Sequence, residues 1–203
     1  MRLVPGEEPE ILWRPPAGAR DATNLGRFLT WLEGRGHAFA GYDELWRWST
    51  TDLDGFWSSV AERLGVRWHA APAVALEERR MPGAVWFPGA TLSYAEHALA
   101  AAADRPAAPA LLGRSQTRPP VEWTWAELAE QVRRLRAGLR RLGVGRGDRV
   151  AAYLPNLPET VAAFLATASL GAIWTSCAPE FGTRSVVDRL SQVDPTVLLA
   201  VDG

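Results

Sequence analysis

From Thr124 onward, apolar residues return at Leu128, Val132, Leu135, Leu139 and Leu142, at intervals of four and three. That spacing puts them on one face of a helix. Thr124 and Glu127 have the spacing of a capping box in front of it. Arg133, Arg134, Arg136, Arg140 and Arg141 fall largely on the other faces, as a solvated surface requires. Gly143 stops the helix, and Gly145, Gly147 and Asp148 turn the chain into a strand over Arg149 to Leu154. Asn156 and Glu159 are placed to cap a further helix, with Val161, Phe164, Leu165 and Ala168 facing inward. Ile173 to Cys177 is the next strand. Thr183 opens a helix carrying Val186, Val187, Leu190 and Val193, Asp194-Pro195 ends it, and Thr196 to Val201 is a last strand. Strands alternating with helices at this spacing predict right-handed βαβ units and a parallel sheet. Val197 to Val201 is a continuous apolar run, as expected of a parallel strand covered on both faces. The pattern stops two residues later, so the chain is expected to end inside a larger domain. Ala110 to Gly113 and Val121 to Trp123 are further short strands.

The first half has a different texture. Seven of the ten tryptophans (Trp13, Trp31, Trp46, Trp48, Trp57, Trp68 and Trp86) lie before about residue 90. No strand–helix alternation is visible there. Asn24 can cap a helix carrying Leu25, Phe28, Leu29 and Leu32, ended by Gly34 and Gly36. Tyr42 to Trp48 is a short aromatic helix. Asp52 can cap another, with Phe56, Trp57, Val60 and Leu64 on one face and Gly65 as its stop. Ser93 and Glu96 have capping-box spacing for a helix through about Ala103. Large aromatic side chains on short helices need a surface to lie against. The reading is therefore a helical, aromatic-rich extension over residues 1–100 that leans on an α/β domain beginning at about residue 101. The alternative is a small independent helical domain.

Composition narrows the chemistry. The 203 residues are 47% hydrophobic and 22% charged, with a net charge of -1, and nothing in that balance argues for a nucleic-acid partner. All 22 basic residues are arginine. A P-loop lysine, a Schiff-base lysine or a lysine on a phosphate cannot come from these residues. One cysteine, Cys177, excludes an intrachain disulfide and reads as a buried structural residue. His37, His69 and His97 are scattered without metal-site spacing. The opening residues carry Glu7, Glu8 and Glu10 with no apolar run, unlike a signal peptide. No apolar stretch approaches the ~20 residues of a membrane span. A reducing, cytoplasmic setting is the expectation.

Gly143-Val144-Gly145-Arg146-Gly147 invites a dinucleotide reading, but that fingerprint follows a strand and opens a helix. Here the glycines follow a helix and precede a strand, so they read as a helix stop and turn. No nucleophile elbow is present. The adjacent pairs Glu7-Glu8 and Glu77-Glu78 carry no acid/base signature. Ser176 and Cys177 fall at the carboxyl end of a strand, where open α/β sheets place ligands. The residues alone thus give an α/β layer with an aromatic extension and no visible catalytic constellation.

The order Thr124-Trp125-Ala126-Glu127-Leu128, Gly143-Val144, Gly147-Asp148-Arg149-Val150, Leu154-Pro155-Asn156-Leu157-Pro158-Glu159 and Gly171-Ala172 resembles the amino-terminal sheet of the adenylate-forming superfamily. Asp43-Glu44-Leu45-Trp46-Arg47-Trp48-Ser49 with Phe56-Trp57 looks like the amino-terminal extension of its short-chain acyl-CoA synthetases. Ile11-Leu12-Trp13-Arg14-Pro15, with Asn24-Leu25 and Phe28, is similar to the acetoacetate branch in particular. The resemblance implies the start of the large amino-terminal domain, a parallel sheet with flanking helices. It also implies a two-step ligation using Mg-ATP, a carboxylic acid such as acetoacetate, and CoA, by way of an acyl-adenylate. The family's phosphate-binding loop with its lysine, its acidic motif and its carboxyl-terminal lysine have no counterpart here, so these residues by themselves are expected to be inactive. One contact carries over by position. Ala178, Pro179 and Glu180, after the strand at Ile173, map to the segment that approaches the adenine end of CoA. The family pattern there is often aromatic-glycine-glycine, and this chain departs from it; a plain β–α loop is the other reading. Two alternatives for the whole stay open: a ligase for acetate or another short acid, and a non-catalytic binding module.

Overall fold

The computed structural model describes residues 10–201, and Glu7 and Glu8 lie outside them. These residues form two compact units. One runs to Val66 and resumes over Pro72–Gly89; the other holds Arg67–Ala71 and the chain from Ala90 onward.

The first unit contains helices α1 (Ala19–Ala22), α2 (Asn24–Glu33), α3 (Tyr42–Thr51) and α4 (Leu53–Arg63). Two short antiparallel strands follow, β1 (Leu76–Glu78) and β2 (Val85–Trp86). Thr23, rather than Asn24, caps α2, its hydroxyl accepting from the Gly26 amide. Asn24 is the first helical residue, and its side chain accepts from Arg27. Asp52 caps α4 as expected. Leu29, Leu32 and Leu45 are buried beneath Phe28, Trp31, Phe39 and Trp48. Ring contacts continue the core from Phe28 and Trp48 to Phe56, then Trp57, then Trp86. The Asp54 carboxylate accepts from the amides of Ala75 and Leu76, at 2.5 and 3.1 Å, which ties the long loop back to α4. Leu64 stays exposed, because it lies past the end of α4 as its C-cap.

The second unit begins with α5 (Tyr94–Ala98) and α6 (Ala101–Asp104). The single helix expected through Ala103 is broken in two around Leu99 and Ala100. Its capping box is half-formed. Ser93 accepts from the Glu96 amide, while the Glu96 carboxylate turns instead to His69 at 2.7 Å. Strands β3 (Pro109–Gly113) and β4 (Val121–Thr124) pair antiparallel with each other, apart from the main sheet. α7 (Trp125–Arg141) follows, with both halves of the Thr124–Glu127 box in place. Leu128, Val132 and Leu139 are buried on its inner face, and Leu142 is exposed because the helix has ended beneath it.

Then come β5 (Arg149–Tyr153), α8 (Pro158–Ser169), β6 (Ile173–Cys177), α9 (Thr183–Ser191) and β7 (Val197–Ala200). The three strands form a parallel sheet in the order β6-β5-β7. α8 opens on Leu157 with Pro158 at its start, where a missing N–H costs nothing. Asn156 therefore caps nothing, and Glu159 pairs with Arg118.

The central strand shows how the layers divide. Val150, Ala151 and Ala152 are completely buried. Val150 joins the core formed with α7 and α8, and Ala151 joins Cys177, Val186 and Leu190 on the other face. Alternate side chains point to opposite faces, so β5 is covered on both. Among the described residues β7 lies at the edge of the sheet, with Val197 and Leu199 half-buried and Leu198 exposed. On the face of α9, Val187 and Ile173 are exposed as well.

Candidate functional site

The strands β5 and β6 end together, with Tyr153 in register with Cys177. The chain then turns at Ala178-Pro179-Glu180-Phe181, where the Phe181 amide donates to the Ala178 carbonyl at 3.1 Å. That bond closes a β-turn with Pro179 and Glu180 as its central residues. Pro179 stands where proline's fixed φ suits a turn, and Glu180 has no positive φ, which makes the turn type I rather than type II. Ala178 is half-buried, while Pro179 and Glu180 are exposed. The predicted residues are thus brought together as a proline-stiffened corner at the carboxyl edge of a parallel sheet.

Two side chains that the sequence did not single out hold this corner. The Tyr153 hydroxyl lies 2.7 Å from the carbonyl oxygen of Pro179 and 2.9 Å from that of Phe181. The Arg189 guanidinium, from α9, lies 4.4 Å from the centre of the Phe181 ring, in cation–π geometry. Beyond the turn, α9 starts at Gly182 with no side-chain cap and no acid in its first turn, and Arg184 is its second residue. Free amides at a helix start favour an anion.

The other expected features resolve into structure. Gly143 and Gly147 have φ of 87° and 83°, and the Gly145 amide donates to Asp148 at 2.7 Å, so this run is a tight turn between α7 and β5. Cys177 is buried against Ala151, Val186 and Leu190. His37 packs on Phe39 and Trp48. His97 accepts the Arg67 amide on one ring nitrogen at 2.8 Å and meets the Ser93 carbonyl with the other at 2.9 Å. Among the described residues no group of three His, Cys, Asp or Glu could hold a metal ion. Glu130 on α7 is held at about 2 by hydrogen bonds from Arg133 and Arg134, which makes this cluster a closed ion-pair network. A groove of about 350 Å³ between α2 and α4 is lined by Leu25, Phe28, Phe56, Val60 and Leu64, with Asn24 and Arg63 as its polar members. Its lining has no carboxylate and no histidine, and Arg63 is its one charged member. No helix among the described residues is long and apolar enough to cross a membrane.

Residues 98–203, just over half of the chain, match the model of the AMP-binding enzymes. The chain belongs to the AMP-binding enzyme family. Its residues 42–98 match the amino-terminal region of acetyl-coenzyme A synthetases. Among relatives of this chain is an acetoacetyl-coenzyme A synthetase of Rhizobium meliloti, 39% identical over 95% of this chain and 29% of that protein. A malonamoyl-CoA synthetase of Penicillium aethiopicum is 36% identical over 96% of this chain and 27% of its own length. The solved acetoacetyl-CoA synthetase from Streptomyces lividans superposes with a TM-score of 0.89 at 54% identity, covering 96% of this chain and 30% of that one. The chain spans less than a third of the length of these relatives.

Tyr153 had one signal in the sequence. It is a polar-tipped aromatic closing an apolar strand, where a hydroxyl emerges at the sheet edge and needs a partner. Phe181 and Arg189 had none, because their meeting depends on how the turn delivers the chain into α9.

Proposed function

We propose that the complete protein carrying these residues ligates acetoacetate to CoA, using Mg-ATP to form an acetoacetyl-adenylate and pyrophosphate before the CoA thiol displaces AMP. One observation carries this reading: the likeness to the Streptomyces lividans acetoacetyl-CoA synthetase extends over 96% of the chain at 54% identity, through both compact units. The Mg-ATP chemistry is assigned to other parts of the complete protein, because these residues contain no lysine and the described ones no metal-holding cluster. What they contribute is scaffold and one binding corner. The Ala178–Phe181 turn is proposed to receive the adenine end of CoA. The exposed Glu180 carboxylate can accept from the adenine amino group, and the uncapped start of α9 with Arg184 suits the nearby phosphates. A cytoplasmic setting, small-molecule partners and no nucleic acid or membrane partner complete the proposal.

A second reading concerns the acid. The malonamoyl-CoA synthetase relative, at 36% identity, is nearly as similar as the Rhizobium meliloti acetoacetyl-coenzyme A synthetase at 39%. Malonamate differs from acetoacetate by an amino group in place of a methyl, so both present a carbonyl β to the carboxylate. The match of residues 42–98 to acetyl-coenzyme A synthetases keeps acetate in view. Thioester formation by the complete protein should be measured with acetoacetate, malonamate, acetate and propionate. The proposal expects the highest kcat/KM with acetoacetate and release of AMP. Preference for acetate, or no acid-dependent AMP at all, would overturn it.

A further inference from the structure

We infer that Tyr153 is a positioning residue for the nucleotide end of CoA, its hydroxyl fixing the Ala178–Phe181 turn in the form that receives that end. The inference rests on the proposed role of the turn and adds to it a residue from the neighbouring strand.

A tyrosine hydroxyl has one proton to give. Here two carbonyl oxygens, of Pro179 and Phe181, converge on it at 2.7 and 2.9 Å. The two carbonyls belong to residues on either side of Glu180, so their direction sets the direction of that residue. Without the hydroxyl, two oxygens carrying partial negative charge would face each other with no donor between them. The turn would then relax away from β5. The ring of Tyr153 has a separate task. It packs beside Ala151, Cys177, Val186 and Leu190, under α9. Tyr153→Phe therefore removes the hydroxyl and keeps that packing. Two further restraints act on the turn, the Phe181 amide bond to Ala178 and the Arg189 guanidinium over the Phe181 ring. Y153F should consequently loosen the turn without unfolding it.

The experiment uses the complete protein as wild type, Tyr153→Phe and Glu180→Ala. KM is measured for CoA and for phosphopantetheine, which lacks the nucleotide end of CoA. Acetoacetate-dependent ATP–pyrophosphate exchange and amide hydrogen exchange over residues 178–183 are measured alongside. Y153F is expected to speed amide exchange in that segment and to raise KM for CoA about three- to tenfold, the scale of one hydrogen bond. KM for phosphopantetheine and the pyrophosphate exchange rate should stay unchanged. A general structural defect would instead move all of these together, and that result overturns the inference. Unchanged amide exchange in Y153F overturns it whatever the kinetics. If E180A raises KM for CoA and Y153F does not, the turn keeps its role and Tyr153 loses its own. If neither variant moves KM for CoA, the CoA reading of the turn falls and takes this inference with it.

Discussion

The ring of Pro158 comes within 2.8 Å of the position that a β-carbon on Gly113 would occupy. Gly113 ends β3 and Pro158 opens α8, so this contact sets how closely the antiparallel ribbon sits on the helix. Proline has no flexible side chain to swing away. Gly113→Ala should therefore destabilise the protein by about 1–3 kcal/mol through overpacking. Gly34→Ala is the control, since its β-carbon would meet nothing closer than 3.5 Å and its φ is -62°. Urea unfolding should lower the midpoint for the first variant and leave the second within about 0.5 kcal/mol. Equal midpoints would show that the ribbon shifts freely.

The two ends of the α/β pattern make a second test. Thr124 caps α7 with both bonds of its box in place, whereas Asn156 caps nothing at the start of α8. Thr124→Ala should cost about 1 kcal/mol. Asn156→Ala should stay within about 0.5 kcal/mol. Thermal unfolding of both variants distinguishes this from the sequence expectation, in which both residues are caps and both substitutions cost alike.

Acid should act through a small set of carboxylates. Glu130 is held at about 2 by hydrogen bonds from Arg133 and Arg134. Glu127 is lowered by the Thr124 amide, and Glu159 by the Arg118 guanidinium. Their folded values lie below their unfolded ones, so in the acid range the unfolded chain binds more protons. The stabilisation they give is present above the unfolded carboxylate value and is lost as pH falls through the folded values. The unfolding midpoint should hold from neutral pH to about 5 and then decline toward about pH 2. Glu130→Gln should make that decline shallower. A midpoint that falls between pH 8 and 6 would point to groups other than these.

Much of this architecture was legible in the chain, for identifiable reasons. The four-and-three spacing from Leu128 to Leu139 reports burial directly, and Leu128, Val132 and Leu139 are indeed inside. The capping boxes depend on local spacing, so Thr124–Glu127 was secure. Ser93–Glu96 was only half right because a distant side chain, His69, competes for the carboxylate. Asn156 failed as a cap because Pro158 already solves the problem of the first amide. The corner after β6 was only partly legible. Ala178, Pro179 and Glu180 were singled out by their place after a strand, but the tyrosine that holds their turn comes from the neighbouring strand, 26 residues earlier than Pro179. Sheet register, not sequence proximity, makes that contact.

The absence of lysine yields a prediction of its own. The 203 residues expressed alone should show no acetoacetate-dependent ATP–pyrophosphate exchange, because no lysine is available to the transferring phosphoryl group. Exchange above background from these residues would require a different phosphate-binding group, and the arginines of α7 and α9 would be the first to replace.

The most direct test of the proposed ligase is ATP–pyrophosphate exchange by the complete protein, with and without acetoacetate and in the absence of CoA. The account predicts exchange that needs the acid and Mg but not the thiol, because the adenylate forms first. Exchange that requires CoA, or ADP and phosphate as products with no pyrophosphate exchange, would contradict it.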